Sequence, residues 1–249
     1  MAPNANPVQN GAASHLHLSQ RAYASLRQMA MTYRFQPGQR LNEGVLAREL
    51  DVSRTPLREA LHRLRSEGLL VLVRGRGFHA RPLDVKEVFD LYEARLALET
   101  TVARLACERA DEEWFGAIDT YLVASVKAQE TAPVEQLLQF DEGFHERVTE
   151  VTGNAELLRM LGSINARIHF FRWVDMQGRR DSTQSEHRAL VDAIRERDSA
   201  RAAEVARIHI TRRQDQIVEV IREGYARLFM GDGPKVADLR PVAVSEEKR

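Results

Sequence analysis

Between Val134 and Val151 apolar residues fall at Val134, Leu137, Leu138, Phe144, Val148 and Val151, the spacing of one helix face. Two positions inside that stripe are Asp141 and His145 instead. Four residues apart, they stack one turn above the other on a face that must be buried. A carboxylate there is costly unless charge meets it. Two more histidines share this placing. His187 leads the run Leu190, Val191, Ile194, and His209 follows Ala202 and Val205 on one helical face. One Asp and three His on inward faces read as a metal site inside a helix bundle. Imidazole suits zinc, nickel, copper, iron or manganese, and one carboxylate leaves the set borderline in hardness. The expected cofactor is one divalent transition metal per chain, zinc first, with nickel, manganese or iron as alternatives. An ion that accepts five or six ligands keeps positions open for water or a carboxylate.

Helical periodicity governs the rest of residues 84–230. Asp84 caps a long helix reaching about Ala110, with Val88, Leu91, Tyr92, Leu98, Val102 and Leu105 inward. Further helices are expected at about 112–129, 134–152, 154–175, 184–197 and 199–229, broken by Pro133, Gly153-Asn154, Gly178 and Asp198-Ser199. No strand-like alternation follows residue 81, so this part predicts an all-α antiparallel helical bundle. The lone Cys107, beside Leu105 and Ala106, reads as a packed helix position and forms no internal disulfide. No apolar run approaches the roughly 18 residues of a membrane span, and no secretory pattern opens the chain. A cytoplasmic protein is expected.

The net charge of zero over 249 residues hides a split. Residues 14–81 hold 12 arginines and no lysine against five acids, a surplus of seven that the remainder offsets. An arginine-only first third suggests a polyanion-binding head on a body with another task. A helix over about Ser19–Tyr33 stops before Pro37-Gly38, and Asn42 caps a short second helix. Asp51-Val52-Ser53 forms a tight turn, Thr55-Pro56 opens a third helix with Thr as cap, and Gly68 ends it. Leu69–Val73 and Gly77–Arg81 read as two strands around the basic tip Arg74-Gly75-Arg76-Gly77. Three helices plus a β-hairpin make a winged helix-turn-helix. Residues 1–13 read as a disordered tail and 231–249 as a flexible one, leaving domains at 14–81 and 84–230.

The third helix carries Arg54, Arg58, His62 and Arg65 on one side. A helix start offers free N–H groups to phosphates, and arginine holds a guanine edge with two parallel bonds. Ser53 and Thr55 are therefore assigned to phosphates, and Arg54 and Arg58 to positions at or near bases. Arg74 and Arg76 at the tip reach flanking backbone or minor groove, with Gly75 allowing close approach. The partner is a double-stranded DNA operator.

The stretch PGQRLNEGVLARELDVSRTPLREALHRLRSEGLL…GRGFHA closely resembles the N-terminal domain of GntR-family bacterial transcription regulators. The resemblance implies that Arg54, Thr55, Arg58 and Gly75 contact DNA. One departure is Gly44, where relatives carry an arginine. From Asp84 the chain resembles the FCD domain of the FadR-type subfamily, through Glu93-Ala94-Arg95-Leu96-Ala97-Leu98-Glu99, the Asp141-x3-His145 pair, and EHRALVDAIRERD followed by His209. That resemblance implies an antiparallel bundle around a cavity, with a divalent metal held by Asp141, His145, His187 and His209. It also implies a small organic acid as effector. Arg95 can pair with its carboxylate or form an intrahelical bridge to Glu99. Thr183 can bond a ligand or cap the helix with Glu186 as a capping box. Trp173, Arg172 and Asn165 can line the cavity or serve packing. The function implied is an effector-responsive transcription regulator, a repressor, acting as a homodimer on a near-palindromic operator and not as an enzyme. The alternatives are a metal-dependent hydrolase and a pure metal sensor, each with a DNA-binding head.

Overall fold

The computed structural model describes residues 7–82, 84–178 and 183–229. In chain order the elements are α1 (Pro7–Met31), α2 (Glu43–Glu49), α3 (Arg54–Ser66), β1 (Leu70–Val73), β2 (Gly77–Ala80), α4 (Val85–Arg109), α5 (Glu112–Ala128), α6 (Val134–Glu150), α7 (Ala155–Gly178), α8 (Thr183–Arg195) and α9 (Ser199–Phe229). The chain divides into two compact units, and Asp84–Ala226 forms the second.

In the first unit α1 packs on α3, and α3 also meets α2 and β1. Ala22, Leu26, Met29, Leu46, Leu57, Ala60, Leu61, Leu64, Leu70 and Phe78 are buried as its core. Each fully buried leucine among them stabilises the unit by about 1.5–3 kcal/mol. Helix α1 starts at Pro7, inside the stretch 1–13. Proline is preorganised for a first helical position, and Ala12-Ala13 favour continuation. The expected flexible tail at 231–249 lies outside the described residues. Asn42 caps α2 as expected, its Oδ1 accepting from the N–H groups of Gly44 (3.0 Å) and Val45 (3.1 Å).

Helix α3 begins earlier than the sequence suggests. Ser53 occupies the N-cap without a side-chain cap bond, so Thr55 is not the cap. Pro56 falls in the first turn, where no intrahelical acceptor awaits an N–H. The strands pair antiparallel with Leu70 opposite Ala80 and Val73 opposite Gly77. Gly75 (φ +74°) and Gly77 (φ +83°) supply the left-handed backbone that the tip requires. Residues 39–41 add an unexpected third rung. Leu41 N–H donates to the Phe78 carbonyl and Ala80 N–H to the Gln39 carbonyl, both at 2.9 Å, around an antiparallel bridge between Arg40 and His79.

In the second unit, side-chain caps set the helix starts. Asp84 accepts from Lys86 N–H (2.9 Å), Asp111 from Trp114 N–H (2.8 Å), Asn154 from Glu156 N–H (3.1 Å), and Asp198 from Arg201 N–H (2.9 Å). Each such bond is worth about 1 kcal/mol. Helix α5 packs on α6 and α6 on α7 across short connections, which makes consecutive helices antiparallel. Helix α4 packs against α6, α7 and α8. Cys107 is buried within α4, and burial pushes its thiol pKa up. Among the described residues no helix is long and apolar enough to cross a membrane.

Candidate metal centre and nucleic-acid interface

Three helices bring the Asp/His set together. Helix α6 carries Asp141 and His145, α8 carries His187, and α9 carries His209. Ligand-type atoms of these four buried residues all lie within 4.8 Å of one another. His187 Nε2 is 3.3 Å from Asp141 Oδ1, and His145 Nε2 is 3.9 Å from the same oxygen. His209 Nε2 lies 3.3 Å from His145 Nε2. Asp141 Oδ1 and His187 Nε2 are buried yet have no hydrogen-bond partner of good geometry among the described residues. An unpaired buried acceptor costs about 1–3 kcal/mol. Lone pairs converging on one point are the donor set a cation needs.

The outward atoms of these side chains are held. His145 Nδ1 meets Glu99 Oε2 at 2.6 Å, and Arg95 Nε donates to Glu99 Oε1 at 2.5 Å. His209 Nδ1 meets Glu186 Oε2 at 2.6 Å, and Arg212 pairs with the other oxygen of Glu186. Arg172 Nη2 donates to Asp141 Oδ2, while its Nη1 donates to Asn165 Oδ1 at 3.0 Å. Phe144 stacks on His187 with ring centroids 3.8 Å apart. These contacts aim the free atoms inward.

The electrostatics suit ligation. Burial pushes the His145 pKa down to about 3 against the pull of Glu99. Burial lowers that of His187 as well, so both rings are neutral at pH 7 with lone pairs available. Burial alone would raise Asp141, but Arg172 and His187 outweigh it and hold the carboxyl well below its usual range. Glu99 likewise stays ionised, because Arg95 and His145 overcome its burial.

The three expected effector residues fare differently. Arg95 forms the intrahelical bridge to Glu99 but keeps a buried Nη2 with no partner among the described residues. Trp173 is half-buried, and its Nε1 donates to Glu135 Oε1 at 2.7 Å. Thr183 is buried at the described start of α8, and the capping-box acid Glu186 is engaged by His209 and Arg212. Sequence reasoning missed Glu186 and Arg172 as partners of the ligand set. The signal for Arg172 was an arginine in a stripe with Ile164, Ile168 and Phe171; for Glu186 it was adjacency to His187. Glu142, next to Asp141, bonds His169 Nδ1 at 3.0 Å and lies 3.4 Å from Arg172, so it is not free as a base.

In the first unit a concavity of about 720 Å³ is lined by Arg40, Asn42, Glu43, Gly44, Arg54, Thr55, Arg58, Arg76 and Gly77. It unites the start of α3 with the β-hairpin tip. Ser53, Arg54, Thr55, Arg58, Arg74, Gly75 and Arg76 are all exposed. Arg58 lies 3.6 Å from Glu43 across the groove. Arg40 was not anticipated, because no helical spacing marks it.

Residues 18–79 match the family of bacterial regulatory proteins, gntR family, and residues 90–212 match the FCD domain. The chain is 40% identical over 211 residues to the Nta operon transcriptional regulator of Aminobacter aminovorans, covering 84% of this chain and 100% of that one. It is 29% identical over 187 residues to the HTH-type transcriptional repressor GlaR of Escherichia coli (strain K12), covering 71% and 84%. Among solved structures, E. coli McbR/YncC aligns with a TM-score of 0.64 at 20% identity over 86% of this chain and 98% of that one. A putative transcriptional regulator GntR from Rhodococcus sp. RHA1 aligns at 0.67 and 19% identity over 81% and 97%. A winged helix-turn-helix with an arginine-lined groove and a separate helical unit define a DNA-binding transcription regulator. The chain belongs to the GntR family of bacterial transcription regulators and carries an FCD domain.

Proposed function

We propose that the second unit binds one divalent transition metal and a small organic acid, and that the acid controls operator binding by the first. The observation that carries this reading is the buried approach of Asp141 Oδ1 and His187 Nε2 to 3.3 Å, neither making a hydrogen bond of good geometry among the described residues. Asp141, His145, His187 and His209 would hold the ion, and zinc suits three imidazoles and a carboxylate. The ion supplies a Lewis-acid position for an effector carboxylate. Arg95 Nη2 and Asn165 Nδ2, both buried and without partners among the described residues, are the donors that carboxylate can meet. Trp173 and Thr183 are not needed for this contact.

The regulator works as a cytoplasmic homodimer on a near-palindromic operator, because two copies related by a two-fold read two half-sites. Arg54 and Arg58 read or flank bases, Ser53 and Thr55 meet phosphates, and Arg74, Gly75 and Arg76 reach the adjoining backbone or minor groove. An effector that prefers one arrangement of the paired heads shifts DNA affinity by its differential binding. Release of repression is the expected outcome. The hydrolase reading is disfavoured because Glu142, beside Asp141, is tied to His169 and Arg172, and Glu186, beside His187, is tied to His209 and Arg212. A pure metal sensor differs in needing no organic effector.

Elemental analysis, a thermal-shift screen of carboxylic acids and a gel shift on the gene's own upstream duplex test this together. Expected are about one transition ion per chain, a melting point raised by a subset of acids, and a gel shift reversed by those acids. Protein without bound ion that ignores every acid would overturn the reading. Loss of the shift on chelation alone would favour the metal sensor.

A further inference from the structure

We propose that Arg40 clamps a backbone phosphate of duplex DNA at the rim of the groove between α2, α3 and the β-hairpin tip. The contact lies outside the helix that reads the bases. It rests on DNA binding by the first unit.

Three observations converge on it. Arg40 lines the same concavity as Arg54, Thr55, Arg58 and Arg76, so four guanidiniums border a space holding the single carboxylate of Glu43. A groove with that surplus collects phosphate. Among the described residues the Arg40 side chain has neither an ion pair nor a hydrogen bond, whereas Arg21, Arg27, Arg34 and Arg63 of the same unit are tied to protein partners. An exposed cation left unspent on the protein is available to a ligand.

The third observation is rigidity. Hydrogen bonds from Leu41 N–H and to the Gln39 carbonyl clamp the backbone on both sides of Arg40 to β2. Leu41 is buried, so the alternating side chain of Arg40 faces out. The guanidinium therefore swings from a fixed point, and less conformational entropy is lost on binding than for an arginine on a free loop. Gly44, across the groove, brings no side chain to obstruct an approaching backbone. A phosphate contact, not a base contact, follows from the place of Arg40 outside the recognition helix. Arg54 and Arg58 already occupy the recognition helix, and the guanidinium fork can hold two phosphate oxygens at once.

The test is fluorescence anisotropy of the full-length protein on two duplexes, the gene's own upstream region and a mixed-sequence control, across a salt series. Arg40→Ala should weaken both by on the order of fivefold at 0.15 M salt and reduce the slope of log K against log salt by about one. Arg40→Lys should recover most of the slope. Lys127→Ala, an exposed cation of α5, serves as the charge control and should leave the slope unchanged. Equal slopes for wild type and Arg40→Ala, or an equal loss with Lys127→Ala, would overturn the contact. Loss confined to the upstream duplex would replace it with base reading. Wild-type protein that binds neither duplex would overturn the DNA reading itself.

Discussion

Glu99 and Glu186 each take the second ring nitrogen of a candidate ligand histidine, His145 and His209 respectively. That bond decides which nitrogen keeps its lone pair, and it raises the basicity of the ligating atom. The two carboxylates differ as experimental targets. Glu99 is wedged between His145 and Arg95, all buried, so removing its charge strands a guanidinium at a cost of about 3–5 kcal/mol. Glu186 pairs with Arg212, which is half exposed and can turn to water. Glu186→Gln should therefore leave folding intact and weaken metal binding by about 10–100-fold. Competition against a chromogenic chelator measures it. An unaltered affinity would mean that His209 is aimed by something other than Glu186.

Elements are positioned by their ends as much as by their faces. Arg197 follows α8 with a left-handed backbone (φ +58°), and its guanidinium donates to the carbonyls of Cys107 and Ala110 at 2.6 Å each. Those carbonyls close the C-terminal turn of α4, where no intrahelical donor remains and positive charge is favoured. Arg197→Ala should lower unfolding stability by about 1–2 kcal/mol, a fall in melting temperature of about 2–8 °C. Arg197→Gly should cost less, because glycine takes that backbone freely. A wild-type melting curve for Arg197→Ala would refute the tie. This tie also shows where sequence reading stops. The stripes on α4, α6 and α8, the caps Asn42 and Asp84, and the helix breaks at Gly153-Asn154 and Asp198-Ser199 were legible, because periodicity and capping depend on neighbours within a turn. The inward faces of Asp141, His145, His187 and His209 were legible for the same reason. Arg197 on α4, Arg172 on Asp141, Glu186 on His209 and the pairing of residues 39–41 with β2 were not. Each joins residues separated by a loop or a whole helix, and spacing along one element carries no distance between two. The Ser53 start of α3 escaped because Thr-Pro offers an equally good local opening two residues on.

At the scale of the molecule, the arginine surplus and the buried Asp/His set belong to different compact units. Damage to one should therefore be readable separately from damage to the other. Arg58→Ala removes a groove cation and should weaken binding to the upstream duplex by about 1–3 kcal/mol while metal content stays at the wild-type level. His187→Ala removes a ligand together with the ring stacked on Phe144, so metal should be lost. Its affinity for naked DNA should remain within about tenfold of wild type, or 1.4 kcal/mol. Because that substitution also leaves a cavity, chelation of the wild-type protein is the companion measurement, with the side chain in place. Both metal-free forms should share one further property. An acid that raises the melting point of the metal-loaded protein should shift neither their melting point nor their DNA affinity, since a ligand moves an equilibrium only through what it binds. Metal-free protein that still answers the acid in full would show that Arg95, Asn165 and their neighbours hold it unaided, and the ion would be left with a structural role.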